Sequence, residues 1–286
     1  MRHAGPAAAP HRLTIRYTFC SEDDPGVSRL RARLKAFYDT TTAYEAFAEP
    51  NWKPEFWSPV RVAVQRLLID SGHCSVLEFG AGRTSFGEYL GPLRHQVRFD
   101  VQDVTGLNVA HLSRSADKFY RCELTDIDGS YDIIFSTFVW EHLTAPRAAL
   151  THLLRLLAPR GALFLACPRY EFPFYMSPSI RHNSGFQRAI VALWLLWRRS
   201  IARITRRGDF LIHLDPAVFH RPWFRDSDAV HWVSRWDLAC SIPAGWVIRD
   251  VRIPTTGPWH WFWARFLLMF VVISREGYAD ALGLPS

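Results

Sequence analysis

The sequence predicts an α/β fold with a mostly parallel sheet, and three observations predict it. The first is the stretch Val76, Leu77, Glu78, Phe79, Gly80, Ala81, Gly82, which reads as a buried strand running into a glycine turn. The second is its continuation: strand-like runs at 95–103, 118–124, 131–138 and 162–167 alternate with helical stretches. The third is the apolar run at 262–274. Its core from Phe266 to Ile273 is far shorter than the ~20 residues a membrane-spanning helix needs. Because it holds Phe270, Val271, Val272 and Ile273, it reads as an antiparallel last strand inserted in the sheet.

Taken in order, residues 1–26 read as an irregular leader, whose start lacks the apolar segment of a signal peptide. Residues 27–57 read as a helical and aromatic cap. Leu30, Leu34, Phe37, Tyr38, Tyr44 and Phe47 follow helical spacing over 27–47. The Pro-punctuated aromatic stretch 49–57 then either packs its rings on the core edge or covers the site as a lid. The main domain is placed at 58–286. Ser58 caps its first helix, Pro59 occupies the first position, and the helix runs to Asp70. A helix is expected over 108–117 and another over 146–157, with a turn at 158–161 before the fifth strand. A short helix at 236–244 precedes a sixth strand at 246–253.

The glycine turn points to a nucleotide-like ligand, because it presents backbone N–H groups at a helix start. A dinucleotide fingerprint needs a third glycine where Ser85 stands, and Gly87 falls two residues late. Glu78 would repel a pyrophosphate and would suit an ammonium or sulfonium. An acid after the second strand is expected to bind ribose hydroxyls. Asp100 and Asp103 both qualify, and Asp103 is preferred because it shares its parity with Val101 and Phe99.

Glu78-x-Gly80-x-Gly82 resembles motif I of the class I S-adenosylmethionine-dependent methyltransferases. The resemblance extends through Asp103-Val104-Thr105, Tyr131-Asp132 leading to Ser136, Glu141-His142-Leu143, and Leu157-x-Pro159-x-Gly161. Arg160 stands where many members have glycine, which alters a turn and not the chemistry. The resemblance covers roughly 58–167. It implies a seven-stranded, mostly parallel sheet with helices on both faces, and S-adenosyl-L-methionine as cofactor. By position it implies that Glu78, Phe79, Gly80, Ala81, Gly82, Thr84, Asp103, Val104, Glu123, Leu124, Ser136 and Thr137 hold that cofactor. Glu123 either lies near the adenine amino group or is a solvated strand end.

Methyl transfer from a sulfonium is an in-line displacement, so the protein must mainly align its reactants and exclude water. A hydroxyl acceptor also needs a base. His142 is the first candidate, with Glu141 orienting it; the alternative is a helix-start histidine bonded to backbone beside a capping glutamate. A nicotinamide-dependent oxidoreductase and a non-catalytic, membrane-docked binding protein are the competing readings. Nucleic acid is not expected as a partner, because no Asn/Asp-Pro-Pro-Tyr/Phe motif follows the fourth strand.

Residues 168–237 are outside the shared core and read as a substrate-side insertion between strands five and six. Over 187–207 a helix puts Ile190, Leu193, Trp194, Trp197, Ile201 and Ile204 on one side, at about 100° per residue. Arg198, Arg199, Arg203, Arg206 and Arg207 fall opposite. Either the apolar side docks on the core with a solvated basic face, or the helix makes a peripheral membrane contact. Tyr170, His213, His220, Arg221, Arg225 and His231 are the substrate candidates, in a run that also holds Asp215, Trp223, Asp226 and Asp228. No metal is expected, because these residues lack a ligand spacing. The expected acceptor is a small molecule, a glycan or a lipid-linked intermediate, methylated at oxygen. The 286 residues carry a net charge of +7, which permits an anionic substrate or surface. Five scattered cysteines indicate no disulfide framework and suit a reducing cytoplasm.

Overall fold

The computed structural model describes residues 19–41 and 53–278. Two short strands, β1 (Phe19–Cys20) and β7 (Ile212–His213), pair antiparallel with each other. Seven others build one sheet: β2 (Cys74–Phe79), β3 (Val97–Asp103), β4 (Lys118–Arg121), β5 (Tyr131–Thr137), β6 (Leu157–Pro168), β8 (Trp246–Asp250) and β9 (Leu268–Arg275). Their order is β4-β3-β2-β5-β6-β9-β8, and β9 alone runs antiparallel to its neighbours. The expected seven-stranded sheet with an inserted antiparallel strand is therefore present.

Both faces of this sheet are buried, and successive residues alternate between two cores. Val76, Ile133, Phe135, Phe164 and Val272 join α2 (Lys53–Ser71) in one core. Leu77, Ile134, Leu163, Leu165 and Val271 join α5 (Pro146–Leu156) in the other. The strand order reverses between β2 and β5. Ligand crevices in open α/β sheets form at such a reversal, outside the carboxyl ends of the strands.

Several boundaries differ from the sequence reading. The 1–26 leader is not wholly irregular: Phe19–Cys20 is a strand, and α1 (Pro25–Thr40) opens on the Asp24 cap, whose carboxylate accepts from the Gly26 N–H at 2.7 Å. The expected remainder of that helix beyond 41 lies outside the described residues. Helix α2 begins at Lys53 and not at Ser58, with Pro59 in its interior. Pro59 removes one backbone bond. Phe56 and Trp57, both buried in the core, hold the earlier turn in place. These two rings are core and not lid. The third strand ends at Arg121, which leaves Glu123 and Leu124 at a 3-10 turn. The turn expected at 158–161 is absorbed into β6, whose pairing with β5 shifts register between Tyr131 and Ile133. The last strand starts at Leu268, after α8 (Pro258–Phe262) and a π-helical turn at Trp263–Leu267.

Helix α6 (Gly185–Thr205) forms near its expected place and opens on a reciprocal Ser184–Gln187 capping box. Its orientation is the main correction. The buried positions are Val191, Leu195, Arg199 and Ala202. Leu193, Leu196, Trp197, Ile201 and Ile204 face solvent. Arg199 reaches inward because it pairs with buried Asp237 and donates to the Trp232 carbonyl. An inward arginine paired with a buried acid cannot be distinguished from a solvated one by helical phase. Among the described residues no helix is long and apolar enough to cross a membrane.

Candidate functional site

A cavity of about 440 Å³ opens at the carboxyl ends of β2, β3 and β5. Its floor is the turn after β2. Gly80 has φ +62°, and a Cβ there would lie 2.4 Å from Val139 Cγ1. Gly82 has φ +57° with open space where its Cβ would be. Only glycine adopts both positions without strain. The turn is tied down from β3: the Gly80 N–H donates to Gln102 Oε1 at 3.1 Å and the Ala81 N–H to the Gln102 carbonyl at 3.0 Å. The Gln102 amide in turn donates to the Cys122 carbonyl at 2.7 Å.

Asp103 ends β3 at the cavity wall. One carboxylate oxygen accepts the Gly82 N–H at 2.8 Å and the other the Thr105 N–H at 2.9 Å. Each oxygen keeps a second lone pair. Asp100, the alternative ribose acid, is buried elsewhere, accepting from Tyr131 Oη at 2.9 Å. Phe79, Gly80, Ala81, Gly82, Val104, Glu123, Leu124 and Thr137 also line the cavity. The buried Thr137 hydroxyl has no hydrogen-bond partner among the described residues. Three predicted residues are not brought to the wall. Glu78 and Ser136 are buried in the sheet. Thr84 is a local cap: its hydroxyl accepts the Phe86 N–H and its carbonyl meets His111 Nε2.

The opposite wall comes from elements the sequence did not connect. Helix α1 contributes Arg31, Leu34, Lys35 and Tyr38, so among the described residues it covers this side of the site. The insertion contributes Trp223, Arg225 and Asp226. Phe138 (φ 59°) and Asp226 (φ 60°) both line the cavity and are two of the three non-glycine residues with positive φ among the described residues. Strained backbone of this kind collects at functional sites.

Between these walls stands a buried charge cluster. His142 Nδ1 lies 3.0 Å from Asp228 Oδ2. Asp228 also accepts from Tyr38 Oη at 2.8 Å and Trp223 Nε1 at 3.3 Å. Burial disfavours the imidazolium, but Asp228, Glu141 and Asp226 outweigh it and push His142 up to about 10. Burial pushes Glu141 up to about 8, against the pull of His142. Asp226 is raised by burial too, again opposed by His142. The Glu141 carbonyl accepts the N–H groups of Val230 and His231, which docks the insertion on this loop. The Glu141 carboxylate is fully buried and has no hydrogen-bond partner among the described residues.

Of the substrate candidates, Arg225 alone lines this cavity. His231 is buried with Nδ1 on the Trp140 carbonyl, and burial lowers it to about 3. His213 is buried against Phe19 and is also lowered by burial to about 3. Tyr170 packs beside Trp232 in a satellite core. His220 pairs with Asp215 at 2.9 Å outside the cavity, and Arg221 is exposed. Asp226 and Asp228 were visible in the insertion as acids among aromatics, but Tyr38 and His142, which meet Asp228, are distant in sequence. Two groups bring metal-capable atoms within 4.8 Å of one another: His182 with Asp215 and His220, and Glu141 with His142 and Asp226. Neither grouping has a local spacing that sequence reading detects.

A parallel sheet with a glycine turn, a following acid and a cavity at the strand reversal is the architecture of a nucleotide-cofactor site. The methyltransferase domain family matches residues 58–235. The chain belongs to this family, and it is an S-adenosylmethionine-dependent methyltransferase of class I. The nicotinamide and non-catalytic alternatives are thereby set aside. The glycine turn, the two-handed Asp103 carboxylate and the unpartnered Thr137 hydroxyl fit such a nucleoside cofactor. No curated protein matches the chain. Among solved structures, the plantazolicin methyltransferase BamL in complex with a triazolic desmethylPZN analog and SAH is 10% identical, with 88% of this chain and 96% of that chain covered and a TM-score of 0.50. The 1,6-didemethyltoxoflavin-N1-methyltransferase of Burkholderia thailandensis is 15% identical over 94% of this chain and 99% of that chain, with a TM-score of 0.49. At these identities the BamL likeness is one of fold.

Proposed function

We propose that the protein methylates a hydroxyl oxygen on a small-molecule, saccharide or lipid-linked acceptor, with His142 as the base. The observation that carries this reading is the His142–Asp228 pair at the cavity wall. When bound, S-adenosylmethionine supplies a methyl group activated by the sulfonium charge. Gly80, Gly82, Asp103 and Thr137 would hold its nucleoside and amino-acid portions, and Glu123 and Leu124 would lie beside its adenine. Asp228 fixes His142 through Nδ1, which leaves Nε2 for the acceptor's proton. Tyr38 and Trp223 hold Asp228 in turn. Helix α1 and the insertion cover the acceptor side of the cavity. Asp226 and Arg225 give the acceptor side its polarity. The five cysteines of the chain are free thiols, consistent with a cytoplasmic setting.

His142→Ala should lower turnover roughly 10²–10⁴-fold, the usual worth of a positioned base. S-adenosylhomocysteine affinity by calorimetry should be little changed. Acceptors are found by screening hydroxylated candidates with methyl-labelled cofactor. Unchanged turnover in the variant would remove His142 from the role.

A further inference from the structure

We propose that the solvent face of α6 is a docking surface for an anionic lipid bilayer, independent of which acceptor the enzyme uses. The helix has two apolar faces. One is seated on the protein through Val191, Leu195 and Ala202. The other carries Phe186, Leu193, Leu196, Trp197, Ile201 and Ile204 in water. Leu193, Trp197, Ile201 and Ile204 follow one another at four, four and three residues, Phe186 stands two turns earlier and Leu196 lies beside Trp197, so they share one stripe along the helix. Phe186 is 69% exposed, Leu193 68%, Trp197 59% and Ile204 81%. A contiguous apolar surface of this kind marks a binding face.

Charge selects the occupant. No Asp or Glu occurs between Glu171 and Asp209. Arg198 is paired with Asp209 and Arg199 with Asp237. Arg188, Arg203, Arg206 and Arg207 are all exposed. Long arginine side chains keep their guanidinium in the headgroup layer while apolar neighbours enter the acyl boundary. A second copy of this chain would set one basic helix against another, so a negatively charged lipid surface is the better complement. The helix sits on the inserted segment that also supplies Trp223, Arg225 and Asp226 to the cavity. Docking through α6 would therefore place the acceptor wall near the bilayer surface.

The full chain should co-sediment with vesicles of phosphatidylcholine mixed with phosphatidylserine, and far less with phosphatidylcholine alone. Leu193→Glu with Trp197→Glu should weaken that binding roughly tenfold or more. Arg203→Gln with Arg206→Gln should weaken it by on the order of tenfold on the anionic vesicles alone. These side chains are exposed, so the melting temperature and S-adenosylhomocysteine affinity should hold. The proposal is overturned if the wild type ignores anionic vesicles, or if the α6 variants bind as well as it does. It is overturned equally if only Trp259→Ala with Trp261→Ala, in the other exposed aromatic patch, abolishes binding. A dimer that the α6 variants dissolve, without vesicle binding, would reassign the face to self-association.

Discussion

Asp228→Asn tests the charge cluster most directly. Asparagine keeps the shape of the side chain and an oxygen that accepts from Tyr38 or Trp223. It removes the negative charge 3.0 Å from His142 Nδ1 and turns the second oxygen into an amide donor. At that separation and an effective dielectric near 20, the lost attraction is about 5 kcal/mol. That equals roughly four pKa units, at about 1.36 kcal/mol per unit. Burial of His142 opposes its charge throughout, while Glu141 and Asp226 remain to favour it. The His142 pKa should therefore fall from about 10 to near or below its ordinary 6.5. Proton NMR titration reads this, with the His142 signal assigned by its loss in His142→Ala. The pH–rate profile is a second readout. Wild-type kcat/KM should climb through the alkaline range as His142 deprotonates, and the variant's should level off at lower pH with a lower plateau. Stability follows with a definite sign. A histidine whose pKa rises on folding stabilises fully below its unfolded value and loses that contribution as pH passes the folded value. Melting temperatures of wild type and variant should thus differ most just below pH 6.5, draw together as pH rises above it, and converge toward pH 10. A His142 pKa within one unit of the wild type would refute the reasoning.

Two further outcomes concern the cofactor side. Asp103→Ala should weaken S-adenosylhomocysteine binding roughly 10–100-fold by calorimetry, from lost charged hydrogen bonds and a loosened Gly82 turn; a reduced nicotinamide should give no heat. Gly80→Ala should lower the melting temperature by forcing both a left-handed alanine and a contact 2.4 Å from Val139. Pairing it with Val139→Ala should restore the steric part, leaving the ~1–2 kcal/mol backbone strain.

Much of the fold was legible because the sheet's strands are buried on both faces and separated by amphipathic helices. Val76 and Leu77, or Ile133 and Ile134, announce a two-sided strand without any knowledge of partners. The glycine turn and Asp103 were legible as cavity-lining positions because their spacing is local. Thr84 and Ser136 were misplaced because adjacent residues on a strand or turn point opposite ways. The site's other half was not legible. His142 and Arg225 stood out as candidates, but Tyr38 and Asp228, which meet beside His142, are far apart in the chain, and each alone is an ordinary polar residue. His213 and His231 drew attention as histidines, yet burial lowers both, outweighing Asp215 at His213 and the Trp140 carbonyl at His231.

Helix α6 shows the limit most clearly. Its sequence determined a helix and the presence of a wide apolar arc. It did not determine which arc turns inward, because periodicity assigns faces by average hydrophobicity. Asp237, thirty-eight residues from Arg199, decided that orientation. The same holds for the whole protein. Sequence alone determined the sheet, the glycine turn and the family, since those depend on local patterns of burial and backbone freedom. Tertiary structure decided the charge around His142 and the apolar surface left in water, since electrostatics and exposure depend on which distant residues meet.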